Sequence, residues 1–409
     1  MLKNKCLKAI DAFTILSSSS GQIRNQAIAL MAQTLKDEYE YILAENEKDI
    51  SFAKEKGLSE ALIDRLTLTK ERIYAISQAM LKVCALPDPI GKGSVNTRPN
   101  GLTIQKVQVP IGLIAIIYES RPNVTADAAA LCIKSGNTVI LRGGSEAINS
   151  NIALSRVLRN ALSASSLPAD CIQIVEDTSR ETATRLMRLN GYVDLLIPRG
   201  GKSLIQAVVE NSTVPVIETG AGNCHIYADQ SADTETALNI INNAKTQRPS
   251  VCNAAECLLV HRKIAKELLP LVKERMPGVE LRGCEETLKL LPDITRATEE
   301  DFYTEYNDYI MSLKVVSGVE EAVSHINKYG TKHSDAIITK DTASAEYFTM
   351  NVDSAAVYVN ASTRFTDGEE FGYGAEIGIS TQKLHARGPM GLDELTTVKY
   401  KITGNGQIR

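Results

Sequence analysis

The sequence has no apolar run long enough to cross a membrane. Its longest, around residues 111–117, is about eight residues, against the roughly 20 that a bilayer requires. The opening MLKNKCLKAI has no apolar stretch of the kind that directs secretion, so a cytoplasmic location is expected. There is no excess of positive charge either. A net charge of −4 gives no global basic field, which excludes nucleic acid as an expected partner and leaves room only for a local basic pocket. No CxxC pair is present: the eight cysteines (6, 84, 132, 171, 224, 252, 257 and 284) are scattered, as free thiols in a reducing compartment are. The five histidines (225, 261, 325, 333 and 385) show no metal-ligand spacing among themselves or with cysteine, so no metal is expected. A GxGxxG fingerprint is missing, which argues against an ordinary Rossmann dehydrogenase. The run PRGGKS at 198–203 is out of pattern for an ATP-binding P-loop. Internal repeats are absent.

What is there is an ordinary globular composition, 44% hydrophobic and 23% charged, in 409 residues, enough for two or more domains. The first ninety or so residues are helical in pattern, with Ile23, Ala27, Leu30, Met31 and Leu35 at helical spacing and Ile73, Ile76, Met80 and Val83 repeating it. The period changes at 95–109, where two alternating stretches flank RPNG at 98–101, a hairpin signal. Strand-like segments at 111–118, 138–142, 172–175, 193–197 and 214–217 then alternate with helical ones at 126–134, 150–162, 182–188 and 203–209. Connections of that length imply a parallel sheet covered on both faces, an α/β nucleotide-binding architecture. After about residue 227 a second α/β segment runs to roughly 361, with strands expected at 256–260, 310–316, 336–338 and 355–359 and helices around 263–274, 320–328 and 343–350. The tail 397–408 reads as extended pieces.

Several residues sit where chemistry is done. Cys252 lies in the loop TQRPSVCNA (246–254) with Arg248 close by, which suits either a low-pKa thiol or a small core residue. Glu218 ends an apolar strand ahead of a glycine run, where parallel sheets bind ligands and also where a solvated strand end falls. Asn123 follows a strand and precedes a helix, so its amide can cap that helix or donate to an oxyanion. Arg142, Gly143, Gly144 and Ser145 lead from a strand into a helix, and Gly200 and Gly201 form a second such loop. Each is a phosphate cradle or a surface turn.

These stretches occur together and in order: VPIG through YESRPNVT (109–125), SGNTVILRGGS (135–145), VIETGAGNCH (216–225), TQRPSVCN (246–253), FGYGAEIGIS (371–380) and LHARGPMG (384–391). Along nearly its whole length the chain resembles the aldehyde dehydrogenase superfamily, and within it the branch of reductases acting on gamma-glutamyl phosphate. The resemblance implies an aldehyde dehydrogenase-like α/β fold. A Rossmann-type cofactor domain would take 1–94 and 110–226 with a return segment at about 362–395. A catalytic domain would take 227–361, and oligomerisation strands 95–109 and 396–409.

It also implies roles. Cys252 matches the family's nucleophile, Asn123 its oxyanion donor, Glu218 its general base and Glu305 the glutamate that places the nicotinamide ribose. NAD-preferring members carry KPAE in the loop after the second strand. Here RGGS (142–145) removes the carboxylate, so Arg142 and Ser145 are expected to meet a 2′-phosphate and NADPH is the expected cofactor. The implied activity is reduction of L-glutamyl 5-phosphate to L-glutamate 5-semialdehyde plus phosphate through a cysteine thioester, a step of proline biosynthesis. Arg121, Arg248 and Arg387 are the expected substrate-binding residues by motif position. A homo-oligomer is expected, and glutamate 5-kinase is a candidate partner.

Overall fold

The N-terminal stretch is helical, as its apolar spacing predicts: Leu2–Ser18, Gly21–Asp37, Tyr39–Glu55, Glu60–Leu66 and Lys70–Ala85. Ser20, Ser59 and Thr69 each accept a hydrogen bond from the amide three residues on, which fixes where the second, fourth and fifth helices begin. The computed structural model describes residues 2–409 except for the side chain of Ala61. The chain divides into two units. The first runs to Thr219 and regains Gly372–Gly378 and Met390–Arg409; the second comprises Gly220–Phe371 and Ile379–Pro389.

In the first unit the helices accompany a four-stranded parallel sheet in the order Ile172–Ile174, Thr138–Arg142, Leu113–Tyr118, Leu195–Arg199. The first two strands in sequence lie in the middle and the fourth reverses direction of travel, which puts a topological switch point between Leu113–Tyr118 and Leu195–Arg199. A fifth strand expected at 214–217 is reduced to a single bridge between Leu196 and Val216. Pro215 is the reason: its carbonyl accepts from Leu196 N, but it has no N–H to extend the ladder. A separate antiparallel sheet joins Gly93–Thr97, Thr103–Pro110 and Thr396–Thr403, confirming the hairpin and the first of the two extended pieces expected in the tail; among the described residues no strand forms after Gly404. Gly101 takes φ +87° at its turn, a conformation open to glycine.

The second unit is a seven-stranded parallel sheet in the order Thr295–Arg296, Glu280–Gly283, Ile310–Val316, Ala255–His261, Cys224–Ala228, Ser334–Ile338, Ala356–Val359. Apolar clusters fill both faces, one around Leu258, Leu268 and Leu313, the other around Tyr227, Leu259 and Phe348. The boundary expected at 226/227 falls inside the strand Cys224–Ala228, and the division lies at Thr219/Gly220 instead. The return expected at 362 begins at Gly372. Residues 362–366 stay with the second unit because Thr363 Oγ1 donates to Asn253 O (2.7 Å) and Asn253 Nδ2 to Thr366 O (2.9 Å).

One buried contact in the first unit fills a helix start from within. Asp49 accepts four hydrogen bonds at the start of helix Ile148–Ser163: Asn149 N (3.2 Å) and Nδ2 (2.8 Å), Ser150 N (2.8 Å) and Oγ (2.5 Å). Asp49→Ala leaves these donors unpaired in the interior and is expected to cost about 3 kcal/mol or more. Urea denaturation of the variant against the parent checks this; a change under about 0.5 kcal/mol contradicts it.

Candidate active site

In the first unit the candidate residues gather at the carboxyl ends of the parallel strands. Glu119 ties the two strands at the switch point: its N–H donates to Arg199 O (3.1 Å) and its Oε2 accepts from Gly201 N (3.1 Å). Ser120 follows with a left-handed φ of +46°, unusual for a residue with a side chain, and both its N–H and its hydroxyl donate to Glu146 Oε1 (2.7 and 3.0 Å). Asn123 is the first residue of helix Asn123–Lys134, and no side chain caps that helix. Its amide Nδ2 instead donates to Asp127 Oδ2 one turn on (2.9 Å), which excludes the capping reading and orients the carboxamide. Burial pushes the Asp127 carboxyl up to about 6, against the Asn123 hydrogen bond and the charge of Arg199. Arg121 is exposed on the same turn. Glu218 is half-buried, and its neighbour Thr219 donates from Oγ1 to Pro198 O (3.0 Å) beside the same strand end.

The loop 142–145 differs from expectation. The Arg142 guanidinium is buried and donates to Thr178 O (2.5 Å) and Ser179 O (3.4 Å), with Glu146, Glu119 and Asp177 as its charged neighbours. A Cβ on Gly144 would meet the Glu146 carboxylate at 2.2 Å, and a Cβ on Gly143 would meet Asn151 Nδ2 at 2.0 Å, so both glycines are needed for close packing. The helix beyond has its first amides taken by Asp49. Gly201 borders open space instead: a Cβ added there would meet no atom within 4 Å. It heads the ten-residue helix Lys202–Asn211, which has no side-chain cap. Glu119 holds the Gly201 N–H, and a Cβ on Gly200 would meet Glu119 Oε2 at 2.4 Å, so Gly200 is packed as closely as Gly143 and Gly144; a helix start at a switch point still suits a pyrophosphate beside the open face of Gly201.

In the second unit Cys252 sits in a turn closed by Ala254 N donating to Val251 O (3.0 Å), just ahead of strand Ala255–His261. The loop leaves helix Thr234–Thr246, and its two ends are joined by a buried ion pair, Lys245 Nζ to Glu256 Oε2 at 2.5 Å, both side chains fully buried. Burial raises Glu256 to about 7 and lowers Lys245, each partner opposing the other's shift. Glu256 Oε1 also accepts Asn307 N (3.2 Å). Gly222 lies so close that a Cβ there would be 1.4 Å from Cys252 O, and Cys224 Sγ donates to the same carbonyl (3.2 Å). Glu305 Oε1 accepts Gly222 N (2.7 Å), which places it in this network rather than on its own.

Of the expected substrate arginines in this unit, Arg387 is bound to Asp353 (2.8 Å), a carboxylate it shares with Lys332 and Lys383. Those three cations hold Asp353 well below the usual carboxylate range. Arg248 is exposed in the cysteine loop. Arg364 is an addition to the residues expected from sequence: its Nε and Nη2 donate to Gln247 Oε1 (2.9 and 2.8 Å), and its carbonyl accepts Asn253 Nδ2 (3.3 Å). The available signal was an arginine shortly after a strand, at the edge where parallel sheets carry ligand groups. Histidine spacing likewise hid one cluster, because the fold brings donor atoms of buried His225, Cys257 and His325 within 4.8 Å of one another. That set is one donor short of the closed four-ligand sphere of structural zinc.

The aldehyde dehydrogenase family model matches residues 5–302. A gamma-glutamyl phosphate reductase of Clostridium perfringens is 60% identical over 407 residues, 98% of each chain. One from Carboxydothermus hydrogenoformans is 57% identical over 409 residues, 99% of each. The crystal structure of gamma-glutamyl phosphate reductase from Thermotoga maritima superposes with a TM-score of 0.98 at 50% identity, over 100% of this chain and 99% of that one.

Asp127 gives a pH-dependent expectation. Its folded pKa of about 6 stands above its ordinary 3.8, so the proton is held more tightly in the folded chain, and the stability this contributes is present below pH 3.8 and lost as pH rises through 6. Asp127→Asn cannot ionise. Relative to the parent, its thermal stability is expected to improve from pH 4 to pH 6.5; a constant difference over that range contradicts the assignment.

Proposed function

We propose that this chain, which belongs to the aldehyde dehydrogenase family, reduces L-glutamyl 5-phosphate to L-glutamate 5-semialdehyde with release of phosphate. The observation that carries the reading is the full-length identity of 60% to relatives named for that reaction. The cysteine loop supports it, since Cys252 stands half-buried in a rigid turn at the head of a central strand.

In this mechanism the Cys252 thiolate attacks the acyl carbon and phosphate leaves, which forms a thioester. Asn123 donates its amide to the oxyanion, a contribution of about 3–4 kcal/mol for such a donor, and Asp127 holds that amide. NADPH, when bound, supplies the hydride that reduces the thioester. The Cys252 sulfur departs as the thiohemiacetal collapses to the aldehyde. Glu218 is assigned to orienting or tuning Cys252 rather than to activating water, because hydrolysis of the thioester would forfeit reduction.

The loops around Gly200 and Gly201 are the proposed pyrophosphate site, with Ser145 next to the adenosine ribose. Ser145 supports NADPH because it bears no charge against a 2′-phosphate. Glu146, engaged by Ser120, and the buried Arg142 limit how strong that preference is. Val95, Val398, Tyr400 and Ile402 are exposed on the three-stranded sheet, which supports homo-oligomerisation through it. A glutamate 5-kinase is the proposed supplier of the labile acyl phosphate, and the cytoplasm the proposed location.

Cys252→Ala is expected to abolish turnover while NADPH binding, followed by fluorescence titration, stays near the parent value; full activity in that variant rules the mechanism out. Run from the semialdehyde with NADP, the parent should require phosphate, and turnover that depends on coenzyme A or water points to another acyl acceptor. Ser145→Glu is expected to lower kcat/KM for NADPH by about tenfold or more while sparing NADH. Equal losses with both cofactors contradict the placement of Ser145.

A further inference from the structure

We infer that Arg364, with Arg248, forms an anion site on the cysteine loop that holds the phosphoryl group of the acyl phosphate. This rests on the substrate reading above and adds the group that recognises the leaving phosphate.

The geometry is a strap across the loop. Arg364 lies on the short turn Thr363–Phe365, 111 residues from Asn253 in sequence. Its guanidinium reaches Gln247 on one side of the loop through Nε and Nη2 (2.9 and 2.8 Å). Its main chain reaches Asn253 on the other, where Asn253 Nδ2 donates to Arg364 O (3.3 Å) and Thr363 Oγ1 donates to Asn253 O (2.7 Å). Cys252 lies between these anchors, next to Asn253.

The charges around it are unbalanced. Among the described residues, neither Arg364 nor Arg248 forms an ion pair with a carboxylate, whereas Arg387, Arg282, Arg275 and Arg159 each do. Arg364 is part-buried; burial and the like charge of Arg248 lower its pKa, and Cys252 and Asp367 oppose them. Asp367 is occupied with its own turn, where Oδ1 accepts Glu369 N (2.9 Å) and Glu370 N (3.4 Å). Gln247 is a neutral acceptor and cancels no charge. Two guanidiniums on the cysteine loop that no carboxylate ion-pairs with, with Asp367 as a nearby charge that opposes the shift of Arg364, favour a bound dianion, and the planar fork of arginine matches phosphate oxygens.

The step balances without another reagent. The sulfur pair of the thiolate forms the S–C bond and the C–O bond to phosphorus breaks with its electrons on the phosphate oxygen. The carbon keeps its oxidation level. Arg364 and Arg248 hold the charge that gathers on the departing phosphate, and in reverse they hold the phosphate that attacks the thioester.

Two measurements test this on the full chain, with Arg364→Met and the conservative Arg364→Lys checked for native melting. In the reverse assay, Arg364→Met is expected to raise KM for phosphate about tenfold or more, leave KM for NADP within about twofold, and be partly rescued in Arg364→Lys. The second readout needs no substrate: the ratio of Cys252 alkylation rates by anionic iodoacetate and neutral iodoacetamide. That ratio is expected to fall about fivefold in Arg364→Met and to be held in Arg364→Lys. An unchanged ratio overturns the site, as does an unchanged KM for phosphate. If the parent shows no phosphate-dependent turnover, the substrate reading fails, and the alkylation ratio still decides whether Arg364 makes an anion site.

Discussion

The buried pair between Lys245 and Glu256 is the interaction on which the position of the Cys252 loop in the second unit depends. It closes a loop whose two ends belong to a helix and a central strand, so the position of Cys252 follows from the sheet rather than from a free segment. Two charges taken out of water are costly, and removing either one leaves the other unpaired. The contact therefore specifies one loop geometry more than it adds stability. Glu256 extends this order to Asn307, and the segment carrying Asn307 also brings Glu305 to Gly222. The elements flanking the cysteine are thereby cross-linked through polar groups.

The first unit handles charge differently. Its sheet reverses between Leu113–Tyr118 and Leu195–Arg199, and both strand ends feed loops tied by Glu119. Two helix starts are available nearby. One is filled from within by Asp49, the other has no side-chain cap. Carboxylates meet both starts, but differently: Asp49, from the helix Tyr39–Glu55 about a hundred residues earlier, takes the first amides of one helix, whereas Glu119 takes only the Gly201 N–H ahead of the other.

That contrast also marks the limit of what can be read from the sequence. Alternating strands and helices predict both parallel sheets, and the hairpin signal at 98–101 predicts the small antiparallel one, because each depends on local period and turn chemistry. The cysteine loop is legible through its proline and its place before a strand. Strands Glu280–Gly283 and Thr295–Arg296 are not, since they are short and contain few apolar residues, and Thr295–Arg296 lies at the sheet edge. Arg142 looks like a phosphate ligand in sequence, yet its partners are the carbonyls of Thr178 and Ser179, over thirty residues on. Arg364 is invisible for the converse reason: its significance lies in Gln247 and Asn253, more than a hundred residues before it. Local signals report what a segment is; the partners of a polar group are settled by tertiary contact.

The approach of Gly222 to the carbonyl of Cys252 has a consequence for how the cysteine loop is held. Two main chains meet there with no room for a single methyl group between them. A side chain at position 222 would push the Cys252 peptide out of place, so that main-chain contact leaves the position of the loop fixed by the backbone. The peptide unit carrying the sulfur is thus fixed by backbone packing, and change is left to the side chains around it.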